Sequence, residues 1–123
     1  MSVGADEFEN FLKTSDHKGN PKTSANVNFC LGNIRLVVEF TVVPGKSAAF
    51  HEEFNKNVAI SQAENGCIQY ETFSDFKNEN TIWLLENWSS VHDLAEHFKA
   101  GKQRSVPNFA GFLAAPLKFS ILK

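Results

Sequence analysis

Two cysteines in 123 residues, Cys30 and Cys67, are too few for a disulfide framework, and neither stands in a CxxC or Cys/His spacing that suits zinc. They read as reduced thiols, which fits a reducing compartment. Basic residues are also in short supply: twelve Lys and Arg against fourteen Asp and Glu give a formal charge of -2 and an isoelectric point near 6.1. With no basic cluster to neutralise phosphates, neither nucleic acid nor an anionic membrane is expected as a partner. No apolar run approaches the roughly 18 residues that span a bilayer, and the opening MSVGADEFENFLK lacks the basic-then-apolar order of a signal peptide. The expected location is therefore the cytoplasm. Covalent and nucleotide chemistry are not indicated either, because GxSxG, GxGxxG and P-loop motifs are all missing.

What the chain does have is apolar and aromatic bulk, 42% and 12% of its residues, which is enough to bury one core. Residues 1–32 differ from the rest: Phe8, Phe11 and Leu12 at helical spacing precede the polar stretch TSDHKGNPKTSANVN, so they read as a partly flexible extension. A domain is expected over residues 33–123. Ile34, Leu36, Val38, Phe40 and Val42 alternate as one apolar strand face. Pro44-Gly45 stops that strand, and Phe50, Phe54, Val58 and Ser61 then recur at helical spacing up to Asn65-Gly66, where the glycine is expected to end the helix. Cys67 to Ser74 and Thr81 to Trp88 flank the turn-prone DFKNEN as a hairpin. Ser90 with Asp93 three residues on opens a second helix striped by Val91, Leu94, Ala95 and Phe98 and expected to end at Gly101. A short helix around Val106, Phe109, Ala110 and Leu113 and a last strand through Leu117, Phe119 and Ile121 complete the chain.

The order is βαββαβ, an α+β, ferredoxin-like arrangement with both helices on one face of a four-stranded sheet. Because Ile82 and Leu84 alternate with Trp83 and Leu85, both sheet faces carry large apolar groups, and a homodimer packed sheet to sheet is expected.

Polar residues set into the inward stripes are the site candidates. Asn57 and Ser61 lie one turn apart in line with Phe50 and Phe54, and a buried amide or hydroxyl needs a partner or a ligand. His97 borders the stripe of the second helix, with Asp93 one turn earlier to orient the ring and raise its basicity. His51 flanks the first helix's stripe near a pocket mouth. Tyr70 and Trp88 suit core packing as well as ligand contact, and Glu86 is expected to make a structural bond across the strands or the dimer. No pair of histidines has metal-binding spacing, so no metal is expected.

At VVPGK, the helix with Asn57 and Ser61, AENGCIQY, LLENW and DLAEHF, in that order, the chain resembles the antibiotic biosynthesis monooxygenase domain family of dimeric α+β barrels. The resemblance covers residues 33–123 and implies a fold and a pocket between sheet and helices. It leaves the reaction open, because the family holds cofactor-independent monooxygenases of aromatics and quinols, haem-degrading enzymes and a sugar-phosphate isomerase. Val38, His97 and Pro107 stand where the haem-degrading branch has Asn, Trp and His, so that role is not implied. Lys102 stands near where many relatives carry a second His, which puts any two-histidine mechanism in doubt. The expectation is then a cofactor-free monooxygenase of a small aromatic, phenolic or quinol substrate. In it His97 accepts the proton, Asn57 and Ser61 stabilise the oxyanion, and Phe54, Tyr70, Trp88, His51 and Phe112 bind the substrate. A proton-shuttling isomerase and a non-catalytic small-molecule-binding dimer are the alternatives.

Overall fold

The computed structural model describes residues 32–103 and 109–123. The N-terminal extension, with Phe8, Phe11, His17 and Cys30, lies outside the described residues, as do Val106 and Pro107. Strand β1 (Ile34–Thr41) leads through Gly45 into helix α1 (Ser47–Gln62). Strands β2 (Cys67–Ser74) and β3 (Thr81–Trp88) form a hairpin, followed by helix α2 (Val91–Gln103), a 3-10 turn (Phe109–Phe112) and strand β4 (Lys118–Leu122). All pairings are antiparallel in the spatial order β2-β3-β1-β4, which interleaves two split βαβ units and is the ferredoxin-like arrangement expected from the element order.

Period-two alternation decides which side chains face the helices. Ile34, Leu36, Val38 and Phe40 of β1 stand opposite Trp88, Glu86, Leu84 and Ile82 of β3, and all eight are buried. A bulge between Cys67 and Gln69 interrupts β2: Cys67 pairs with Trp88 while Gln69 pairs with Asn87, so the intervening Ile68 is pushed out to 55% exposure and Cys67 packs on the core. From α1 come Phe50 and Phe54, and from α2 Val91 and Leu94, both at the spacing of one helical turn. The 3-10 turn is tied to the end of β1 by Val43 N–H to Phe112 O and Ala114 N–H to Thr41 O, each 2.8 Å.

Two helix ends differ from the sequence expectation. Helix α1 stops at Gln62, and Gly66 takes its positive φ of 79° in the turn that enters β2, where a Cβ would run into the Asp93 side chain. Helix α2 runs through Gly101 to Gln103; an interior glycine costs a helix only about 1 kcal/mol, which flanking turns offset. The start of α2 is as expected: Ser90 Oγ accepts the Asp93 N–H at 3.1 Å. At the hairpin tip Asp75 Oδ2 accepts the N–H groups of Lys77 and Asn78, and Oδ1 accepts Trp83 Nε1–H at 2.9 Å. Those bonds hold the Asp75 carboxyl below the usual carboxylate range, the Trp83 bond contributing most.

Candidate active site

His97 is the meeting point of three elements. Spaced six residues from Val91 and three from Leu94, it falls on the sheet-facing stripe of α2 and is 8% exposed. Its Nδ1 lies 2.6 Å from Glu64 Oε1 and its Nε2 3.9 Å from Glu86 Oε1. The ring lies 4.6 Å from the Trp88 ring and 5.4 Å from the Tyr70 ring. The expectation that Asp93 orients His97 is overturned. Asp93 is engaged at the helix N-terminus, where Oδ2 accepts the hydroxyls of Ser89 and Ser90. Negative charge is stabilised there by the first-turn N–H groups, which outcompete a neighbour one turn on.

Glu86 belongs to the inward face of β3, with Leu36 and Tyr70 opposite it on the two flanking strands. In place of the expected bond across the strands it has one within its own strand: Trp88 Nε1–H donates to Oε1 at 2.9 Å. Alternation places residues two apart on the same face, so this donor is the nearest one available. Burial disfavours the carboxylate and lifts the Glu86 carboxyl to about 7; the Trp88 bond opposes that rise and the Glu64 charge adds to it. Cys67, brought inward by the bulge, feels the same surroundings: burial first, then Glu86 and Glu64, raise its thiol.

Around this polar group stands an aromatic wall. Tyr70 is stacked 6.3 Å from Phe54, which is stacked 5.4 Å from Phe50, and Phe112 meets Phe50 edge-on at 6.0 Å. Asn57 Nδ2 donates to Tyr70 Oη at 3.3 Å. Ser61 is fully buried, and its Oγ has no hydrogen-bond partner among the described residues. Of the candidates, His97, Tyr70, Trp88, Asn57 and Phe54 therefore form one connected group. His51 stands apart, half-buried, with its ring edge on Phe50 at 6.4 Å. Among the described residues no cluster of His, Cys, Asp and Glu is arranged to hold a metal ion, and no helix is long and apolar enough to cross a membrane.

Sequence reasoning missed Glu64 altogether, because it sits in the irregular turn after α1, where no period predicts direction. The direction of Glu86, though not its role, was legible: Ile82, Leu84, Glu86 and Trp88 share one alternation, which sends the carboxylate to the helix side.

Residues 33–113 match the antibiotic biosynthesis monooxygenase family, so the chain belongs to it. No curated protein matches the chain. Among solved structures it is similar to a conserved protein of Methanosarcina mazei Go1, with TM-score 0.70, 22% identity and coverage of 76% of this chain and 93% of that one. A provisionally assigned antibiotic biosynthesis monooxygenase from Nitrosomonas europaea gives TM-score 0.66 at 22% identity, covering 74% and 88%. A conserved protein of unknown function from Bacteroides thetaiotaomicron, suggested to be an oxidoreductase, gives TM-score 0.64 at 26% identity, covering 74% and 96%.

Proposed function

We propose that the protein is a cofactor-independent monooxygenase of a small aromatic phenol or quinol, with His97 as the group that takes the substrate proton. The observation that carries this reading is a buried imidazole held between two carboxylates and flanked by the rings of Trp88 and Tyr70. Family membership and the oxidoreductase suggested for the Bacteroides relative support it. Once deprotonated, an electron-rich phenol can itself reduce oxygen, so the protein need only bind it, exclude water and accept the proton. The anion's ring carbon attacks dioxygen and, after protonation, forms a hydroperoxide. Breaking its O–O bond with loss of the carbon-bound hydrogen releases water and leaves a carbonyl, so one oxygen atom enters the product and one enters water. Asn57 and Ser61 donate to the developing oxyanion, and the unpartnered Ser61 hydroxyl has that capacity to spare. Phe54, Tyr70 and Trp88 form the walls.

The reading includes a homodimer. The outer face of the sheet presents Phe73 and Leu122 at 43% and 48% exposure beside half-buried Trp83 and Leu85, a surface suited to a second copy. Light scattering should give twice the chain mass. The catalytic test is oxygen uptake with a panel of quinols: His97→Ala should lose at least about 100-fold in kcat. Full turnover by that variant would remove His97 from the mechanism. Product without oxygen uptake would favour a proton-shuttling isomerase, and thermal stabilisation without product a binding protein.

A further inference from the structure

A general base needs one orienting partner, yet His97 has a carboxylate on each side. Glu64 approaches from the turn after α1 and Glu86 from the inward face of β3, so the imidazole bridges a half-buried carboxylate and a fully enclosed one. An ionised carboxylate has acceptors only, and at 2.6 Å from Glu64 the Nδ1 position must carry the proton of the neutral ring. Nε2 then holds the lone pair and faces Glu86 Oε1 at 3.9 Å. That gap is about 1 Å beyond a hydrogen bond and too short for an intervening water, which needs two bonds of roughly 2.8 Å. A ring tilt that closes this gap by about 1 Å would bring the two atoms into hydrogen-bond contact.

We propose that Glu86 is the terminal acceptor of the proton removed by His97, and that Glu64 is a positioning residue that holds the ring in the tautomer whose Nε2 faces Glu86. The proposal rests on the reading of His97 as proton acceptor. The substrate O–H bond breaks and an Nε2–H bond forms, giving imidazolium. That N–H bond then breaks in favour of an O–H bond on Glu86, leaving a neutral imidazole and a neutral carboxylic acid. No charge separation persists in the buried site, and the imidazole is free to take part again. With its carboxyl lifted to about 7 by burial, Glu86 can hold a proton near neutrality. The groups facing Glu86 among the described residues include Trp88 Nε1–H on its own strand, Tyr70 and the Cys67 thiol from β2, Leu36 from β1, Glu64 from the turn and His97 from α2.

Nitrogen-15 and carbon-13 NMR on the wild-type protein test the relay without any substrate. At pH 8 His97 should show a protonated Nδ1 and a bare Nε2, and one glutamate carboxyl, missing from Glu86→Gln, should titrate near neutrality together with the His97 ring. Glu64→Gln should mix the tautomers. In turnover, Glu86→Gln should lower kcat at least about 10-fold and move the acidic limb of the pH profile. Glu64→Gln should lower kcat with little change in KM. A protonated Nε2 in the wild type, a Glu86 carboxyl that titrates apart from His97, or an unchanged kcat profile in Glu86→Gln would each overturn the relay. An inactive His97→Ala beside a fully active Glu86→Gln would overturn the relay alone. Coupled NMR titration in a protein that oxidises no quinol would uphold the relay and sink the monooxygenase reading.

Discussion

The interior has two ends built by the same strands and unlike in kind. At one end Phe40, Phe50, Phe54, Phe109 and Phe112 lie with ring centroids 5.1 to 6.0 Å apart. At the other Glu64, Glu86 and His97 meet under Trp88 and Tyr70. Each end is buried, but burial stabilises the first and strains the second, because removing apolar area from water is favourable while removing a carboxylate is not. The molecule keeps charge where its core could have been apolar, and the aromatic end is what makes that tolerable.

Truncating the aromatic end should have the largest effect. Phe50→Ala removes a fully buried ring that touches Phe40, Phe54, Phe109 and Phe112, and urea denaturation should show a loss of about 3–5 kcal/mol. A loss below about 1 kcal/mol would mean that the two ends do not divide the work in this way. The polar end should instead respond to pH. Since the Glu86 carboxyl lies near 4.5 unfolded and about 7 folded, the folded chain holds a proton that the unfolded chain releases. The resulting stabilisation, about 3 kcal/mol, is complete below pH 4.5 and is lost as pH rises to about 7. Glu86→Gln should flatten the stability curve across that window, and a variant as pH-dependent as the wild type would refute the assignment. The smallest effect is expected at Ser61. With its hydroxyl unpartnered, Ser61→Ala should change stability by less than about 1 kcal/mol and in the stabilising direction, while slowing turnover. A clear destabilisation would show that the hydroxyl already has a structural partner.

The aromatic end was largely legible in the sequence: Phe50 and Phe54 one turn apart, and the alternation of Ile34 to Phe40, announce both direction and burial. His97 was legible as a candidate through its place beside Leu94. Its partners were not. Asp93 is the natural choice at one-turn spacing, and that choice fails because the helix N-terminus and two serine hydroxyls claim its carboxylate first. The left-handed Gly66 was legible as a glycine after the first helix, whereas the packing of that turn on Asp93 and the bulge at Ile68 were not, because no local pattern encodes either.

The amino-acid order alone determined the strand faces, the helix stripes, the cap at Ser90 and so the βαββαβ chain path, since these depend on residues within a few positions of one another. Tertiary structure alone decided that Glu64, thirty-three positions from His97, becomes its partner, and that Glu86 is shut away from water. Direction in an irregular turn and the local dielectric are properties of the packed whole, and neither exists until sheet and helices have closed on each other.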